Sequence, residues 1–295
     1  MDYTTISTYL DYCKTHKRLS EHTIRAYKND LMQFYNSNQD SVASYIEHMT
    51  NSTIKTSSLR RKIASLKVFY NYLQEQKIIT DNPFNELRFQ FRTEKRLPKT
   101  IPYDILKKVY TYLKHKVITS KTDYQKQKAE RNLLIISLLL STGIRISELC
   151  HIQIKNINIP DQTLQILGKG KKERIIFLGD KTTFLLLKTY IKTYCKQSDR
   201  YLFSGKYPHK SLSEQSVRLV LKTVREQINL TVNITPHMFR HSFATMLLDN
   251  DVDIRYIQQI LGHSSISITQ IYTHVSQSKQ KEILSSCNPI TSIHS

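Results

Sequence analysis

The sequence predicts a mainly α-helical protein with one small β-sheet, divided into two domains. Three observations lead there. The chain has 295 residues, long for a single core. Apolar residues recur at helical spacing through most of it, and one pair of short β-rich runs flanks a glycine and lysine turn.

Residues 1–90 read as a small all-helical bundle. Helices are expected around Thr5 to His16 and Val42 to Met49. Between them, Ile24, Tyr27, Leu31 and Phe34 mark one apolar stripe, with Ser20 as its N-cap. Leu59, Ile63, Leu66, Tyr70 and Leu73 mark another. The second stripe is bordered by Arg60, Arg61, Lys62 and Lys67, a surface suited either to DNA or simply to solvent.

From Leu87 to Pro102 the periodicity lapses, and Arg88, Arg92, Lys95, Arg96 and Lys99 gather around Pro98. Residues 91–102 are therefore assigned to a basic interdomain linker, whose Arg92, Lys95 and Arg96 could lie along a phosphate backbone.

Residues 103–295 form the second, mixed domain. Helices are expected near Asp104 to Leu113 and Arg131 to Leu140, followed by a hairpin. Its strands, TLQIL and ERIIFL, flank Gly168-Lys169-Gly170-Lys171-Lys172, so Lys169 sits on a projecting turn. Further helices are expected near Thr182 to Tyr194, Glu214 to Ile228, Pro236 to Leu248 and Ile254 to Leu261. The tail through Ile283 and Leu284 suits a last helix, docked either on a neighbouring subunit or on its own domain.

Charge narrows the partners. The 44 Lys and Arg against 24 Asp and Glu give a formal +20, an electrostatic footprint suited to nucleic acid. The N-terminus has no signal-peptide pattern, and the longest apolar run, Leu133 to Leu140, is far too short to span a bilayer. A soluble cytoplasmic, nucleoid-associated protein with no membrane partner is expected. Cys13, Cys150, Cys195 and Cys287 are scattered without a CxxC pair, which favours reduced thiols over a zinc site or a disulfide framework.

Four segments carry candidate chemistry. Thr142-Gly143-Ile144-Arg145 breaks an apolar helix and lifts Arg145 out at a turn, where Glu148 could pair with it. Thr235-Pro236-His237-Met238-Phe239-Arg240 opens a helix with a capping residue and then proline. His237 and Arg240, three apart, share a face on which a phosphate would meet a proton-transfer group and a guanidinium. Leu261-Gly262-His263 reads as a helix stop that places His263 at a junction. Tyr272, in TQIYTH, is one of 18 tyrosines and stands out only by this company.

In order, Arg145, Lys169, His237, Arg240, His263 and Tyr272 resemble the active-site signature of the tyrosine recombinase (phage integrase) family. The segments TGIRISEL, LGKGKKERIIFLG, TPHMFRHSFAT and LGHSSISITQIYTHV resemble it too. LSEHTIRAYKNDL and NPFNEL resemble the family's core-binding domain, so the likeness covers nearly the whole chain. In size and wording the chain is most similar to the Xer-like subgroup, with compact mobile-element integrases sharing the layout.

The resemblance implies a two-domain DNA clamp: a helical, SAM-like core-binding domain and a mixed α/β catalytic domain. It implies that Tyr272 attacks a scissile phosphate, forming a 3′-phosphotyrosyl link and releasing a 5′-hydroxyl, without ATP. Arg145 and Arg240 would hold phosphate oxygens bidentately. Lys169 would be the general acid for the leaving oxygen, His237 the base or proton shuttle, and His263 a further donor to phosphate. No cofactor and no metal are expected. The partner is a double-stranded DNA recombination site, bound by a homotetramer, with a second recombinase or accessory factor also compatible. Two other readings stand beside this one: a type IB topoisomerase-like relaxase, and a catalytically silent DNA-binding regulator on the same fold.

Overall fold

The computed structural model describes residues 2–87, 89, 99–167, 173–196, 200–205, 209–262 and 283–294. Lys169, His263, Tyr272, Arg92, Lys95 and Arg96 lie outside the described residues. The chain divides into two compact units, residues 1–96 and 97–295. Both are mostly helical.

The first unit contains α1 (Tyr3–Thr15), α2 (Glu21–Tyr35), α3 (Val42–Thr50) and α4 (Thr56–Glu75). Side chains cap three of these helices: Asp2 accepts from the Thr5 N–H, Ser20 from Thr23 and Ser41 from Ser44. The apolar stripes meet in one core, where Tyr9 packs edge-on against Phe69 with ring centroids 5.0 Å apart. On α4, Arg60 and Lys67 are exposed, seven residues apart and so on one face. Arg61 instead pairs with Asp30, a buried carboxylate that also accepts from Ser65 Oγ at 2.8 Å. Lys62 donates to Gln33.

In the second unit, α5 (Tyr103–Ile118) and α6 (Asp123–Thr142) run longer than the apolar spacing alone suggests. Their ends are polar, and Thr122 caps α6 by accepting from the Gln125 N–H at 3.2 Å. The stretch from Leu133 to Thr142 is buried on every side, so α6 is the central helix of this unit. Ile101, assigned above to the linker, is 3% exposed and belongs to this core, its N–H donating to Ser242 Oγ at 2.7 Å.

After α7 (Ile146–Cys150) comes an antiparallel sheet of β1 (Ile157–Asn158), β2 (Thr163–Leu167) and β3 (Glu173–Phe177), in that order. The sequence shows only the last two strands. At two residues, β1 is too short for a period-2 pattern. The β2–β3 register runs from Thr163 opposite Phe177 to Leu167 opposite Glu173. Then follow α8 (Lys181–Tyr194), α9 (Glu214–Gln227), α10 (Pro236–Asp249), α11 (Ile254–Leu261) and α12 (Thr291–His294).

Of the two dispositions open to the tail, residues 283–294 pack on their own unit. Ile283 and Leu284 join Phe243, Leu247 and Ile257, while Ile290 and Ile293 enter the main core. Asn288 Nδ2 donates to the Ser141 carbonyl at 2.8 Å. Among the described residues no helix is long and apolar enough to cross a membrane. The four cysteines form no disulfide among the described residues, and Cys13 and Cys150 are buried.

Candidate active site

Two helix ends and one helix start build the site. α6 stops at Gly143, which takes a left-handed φ of +60° and returns its N–H to the Leu139 carbonyl at 3.1 Å. A Cβ there would lie 2.4 Å from Phe243 Cδ1 and 2.8 Å from Leu261 Cδ2. Gly143→Ala should therefore lower stability by about 2–4 kcal/mol, combining left-handed strain with overpacking. Urea unfolding followed by circular dichroism would read it; a loss under about 0.5 kcal/mol would mean the junction relaxes freely.

The turn puts Arg145 at the N-cap of α7, outside the helix proper. Glu148 answers it: Oε2 accepts from the Arg145 backbone N–H at 2.8 Å, and Oε1 from Arg145 Nη1 at 2.9 Å. Arg145 Nη2 donates to the Gly262 carbonyl at 3.2 Å. Its side chain remains one-third exposed and so open to a ligand.

Arg240 is 5% exposed on α10. Among the described residues it pairs with no carboxylate. Nη1 donates to the Gly143 carbonyl and Nη2 to the Leu261 carbonyl, both at 2.7 Å. Burial and then the nearby Arg145 charge lower its pKa to about 10, so it stays cationic at neutral pH. Its fork ties the C-terminus of α6 to the C-terminus of α11, and the negative ends of both helices favour the cation.

His237 lies one turn before Arg240 and is exposed near the N-terminus of α10, where Thr235 caps by accepting from Met238 N–H at 3.4 Å. His241, on the next turn, has its pKa lowered by burial, then by His237 and Arg240. α11 ends at Gly262, again left-handed with φ +63°, immediately before His263. Lys169 belongs to the 168–172 connection between β2 and β3. The structure thus brings Arg145 and Arg240 together at Gly143, Leu261 and Gly262. Among the described residues no cluster of three His, Cys, Asp or Glu side chains converges.

Sequence reasoning treated Glu148 as a local partner of Arg145 and did not single out Arg174. Arg174 Nη1 and Nη2 reach Glu148 Oε1 and Oε2 at 2.8 and 2.7 Å. The signal was available in ERIIF: period-2 alternation puts Arg174 on the same face as buried Ile176, an inward charge that needs a partner. Burial raises the Glu148 pKa, but the hydrogen bonds from Arg174 and the Arg145 backbone outweigh it and hold the carboxyl at about 2.

A folded pKa of about 2 against an ordinary 4.5 means that Glu148 stabilises the fold above pH 4.5, and that this stability is lost as pH falls toward 2. The contribution is on the order of 3 kcal/mol. Glu148→Gln should lower stability at neutral pH and flatten the acid limb between these values; acid unfolding curves of equal steepness for the two proteins would contradict the assignment.

The phage integrase family profile matches residues 111–279, and its N-terminal SAM-like domain profile matches residues 6–77. A tyrosine recombinase of Agathobacter rectalis is 47% identical, covering 99% of this chain and 98% of the relative. Tyrosine recombinase XerD of Staphylococcus epidermidis is 32% identical, covering 97% and 99%. Among solved structures, a lambda integrase tetramer bound to a Holliday junction shares the fold, with a TM-score of 0.68, 16% identity and coverage of 92% and 77%. With two family profiles matched in order and a relative at 47% identity end to end, the chain belongs to the phage integrase family, as a Xer-like tyrosine site-specific recombinase.

Proposed function

We propose that Tyr272 is the nucleophile of strand cleavage and that Arg145, Lys169, His237, Arg240 and His263 act on the same phosphate. The observation that carries this reading is the joining of Arg145 and Arg240 through the carbonyls of Gly143, Leu261 and Gly262. Each guanidinium is held by two anchored nitrogens and keeps further N–H donors for phosphate oxygens. Preorganised donors stabilise the added charge of a phosphoryl transition state without reorganising water.

In the proposed step the Tyr272 oxygen bonds to phosphorus as the bond to the 5′-oxygen breaks. The tyrosyl proton passes to His237, and Lys169 protonates the leaving 5′-oxygen. Ligation runs the same steps backward, the bond energy being kept in the phosphotyrosyl link. Residues 1–90 serve as the core-binding domain and 103–295 as the catalytic domain, joined by the 91–102 linker, whose Ile101 end is already packed into the catalytic core. Arg60 and Lys67, exposed on one face of α4, suit phosphate contact; Arg61, engaged with Asp30, suits an anchoring role. The enzyme works on a duplex recombination site in the cytoplasm as a homotetramer, an assembly supported by the tetrameric lambda integrase.

The test is incubation with a library of nicked duplexes in EDTA, then denaturing capture of covalent adducts and sequencing of both the trapped DNA ends and the linked peptide. A 3′-phosphoryl link to the peptide containing Tyr272 is expected. Absence of adducts on the cognate site, once binding has identified it, would leave a DNA-binding protein on this scaffold.

A further inference from the structure

We propose that Arg174 is a positioning residue for DNA cleavage, locking Glu148 and the turn at Gly262 so that Arg145 is presented to the phosphate. The proposal rests on the reading of Arg145 given under the proposed function.

Glu148 is a two-sided clamp. Its two oxygens accept four hydrogen bonds, two from Arg145 and two from Arg174. A carboxylate offers about four lone-pair sites, so the set is full and its plane is fixed. Arg145 is only three residues from Glu148, at the N-cap of the same short helix; Arg174 comes from another element, β3, 26 residues away. Without Arg174 the carboxylate could rotate with its local partner. With it, the orientation is set by the sheet.

Arg174 also touches the second anchor of Arg145. A Cβ at Gly262 would lie 3.0 Å from Arg174 Cδ, 3.2 Å from Nε and 3.3 Å from Nη1. The Arg174 side chain therefore forms the surface against which Gly262 sits, and the Gly262 carbonyl receives Arg145 Nη2. Both ends of the Arg145 fork thus rest on groups that Arg174 contacts.

Packing alone does not account for an arginine here. Arg174 occupies the inward face that Ile176 shares, is 16% exposed, and its buried Nε has no hydrogen-bond partner among the described residues. An apolar residue would fill that face without an unsatisfied donor. Among the described residues, the charges facing Glu148 are those of Arg145, Arg174 and Arg240. Arg174 also lies on β3, which pairs with β2, so the same bond moors the sheet to the helix that Arg145 caps.

The experiment compares the native chain with Arg174→Gln and Arg174→Lys on a nicked form of the cognate duplex identified by binding. Three quantities are read: adduct formation rate against pH at saturating DNA, affinity for that duplex, and the Glu148 carboxyl titration by carbon-13 NMR. Arg174→Gln should slow adduct formation about a hundredfold with little change in affinity. The Glu148 midpoint should rise by about one to three pH units, adding an acid limb to the rate profile. Arg174→Lys, which keeps the charge but not the fork, should recover part of the rate.

A native rate in Arg174→Gln, or a rate loss that merely follows the folded fraction with no new acid limb, would overturn the proposal. So would an unmoved Glu148 titration. Should the native chain form no adduct, the reading of Tyr272 fails, while the carboxyl titration still decides whether Arg174 holds Glu148.

Discussion

Tyr272→Phe is expected to bind the cognate duplex with unchanged affinity and salt dependence, and to form no covalent adduct. The substitution removes one oxygen and leaves the ring. The formal charge stays at +20, and the Lys and Arg contacts that neutralise phosphates, which dominate both affinity and its salt slope, are untouched. Chemistry depends on the missing atom. A phosphotyrosyl bond needs an oxygen nucleophile, and neither the fork of Arg145 nor that of Arg240 can supply one. Anisotropy titrations at several salt concentrations would follow binding, and denaturing gels with end-labelled DNA would follow adducts. Persistent adducts in the variant would place the nucleophile on another of the 18 tyrosines.

Arg240→Met should cost both stability and activity. Methionine replaces the aliphatic stem, so the cavity left behind is small. What is lost is the fork to the Gly143 and Leu261 carbonyls at 2.7 Å. Two buried acceptors left unsatisfied cost about 1–3 kcal/mol each, so a fall of roughly 2–6 kcal/mol is expected by urea denaturation. Loss of one preorganised cation at the phosphate should slow adduct formation by about 10²–10³-fold beyond any loss of folded protein. Arg240→Lys separates the two effects. A lysine restores the charge but is a point donor, unsuited to reaching two carbonyls in a fixed plane. It should regain less stability than its charge suggests. Equal stability of the Lys variant and the native chain would mean that the charge, not the fork, joins the helices.

The fold was legible wherever a segment carried its own instructions. The stripes of α2 and α4, the proline start of α10 and the glycine stop of α11 are local signals, and the elements lie where those signals put them. α5 and α6 extend beyond their apolar spacing because their polar turns are held by helix continuity and a Thr122 cap rather than by burial. Strand β1 was hidden because its two residues pair through register with β2, which no local pattern reports. The site follows the same division. Arg145 and the His237–Arg240 spacing are visible as motifs at turns and helix starts. The Arg240 contacts with carbonyls 97 and 21 residues away, and the meeting of Arg174 with Glu148, are tertiary facts with no footprint in the neighbouring letters.

The arginine anchors have a consequence for the life of the chain before it is complete. Arg145 rests on a carbonyl 117 residues downstream, and Arg240 on one 97 residues upstream. Contacts of such separation form late, after the intervening loops have closed. A nascent or partly unfolded chain can therefore hold its basic helices and adhere to DNA, yet lack the paired guanidinium groups, since these come together only with α6, α10 and α11 in register. On the roles proposed for the two arginines, cutting competence is tied to completion of the domain, and a truncated product ending before α11 would be a ligand for DNA rather than a hazard to it.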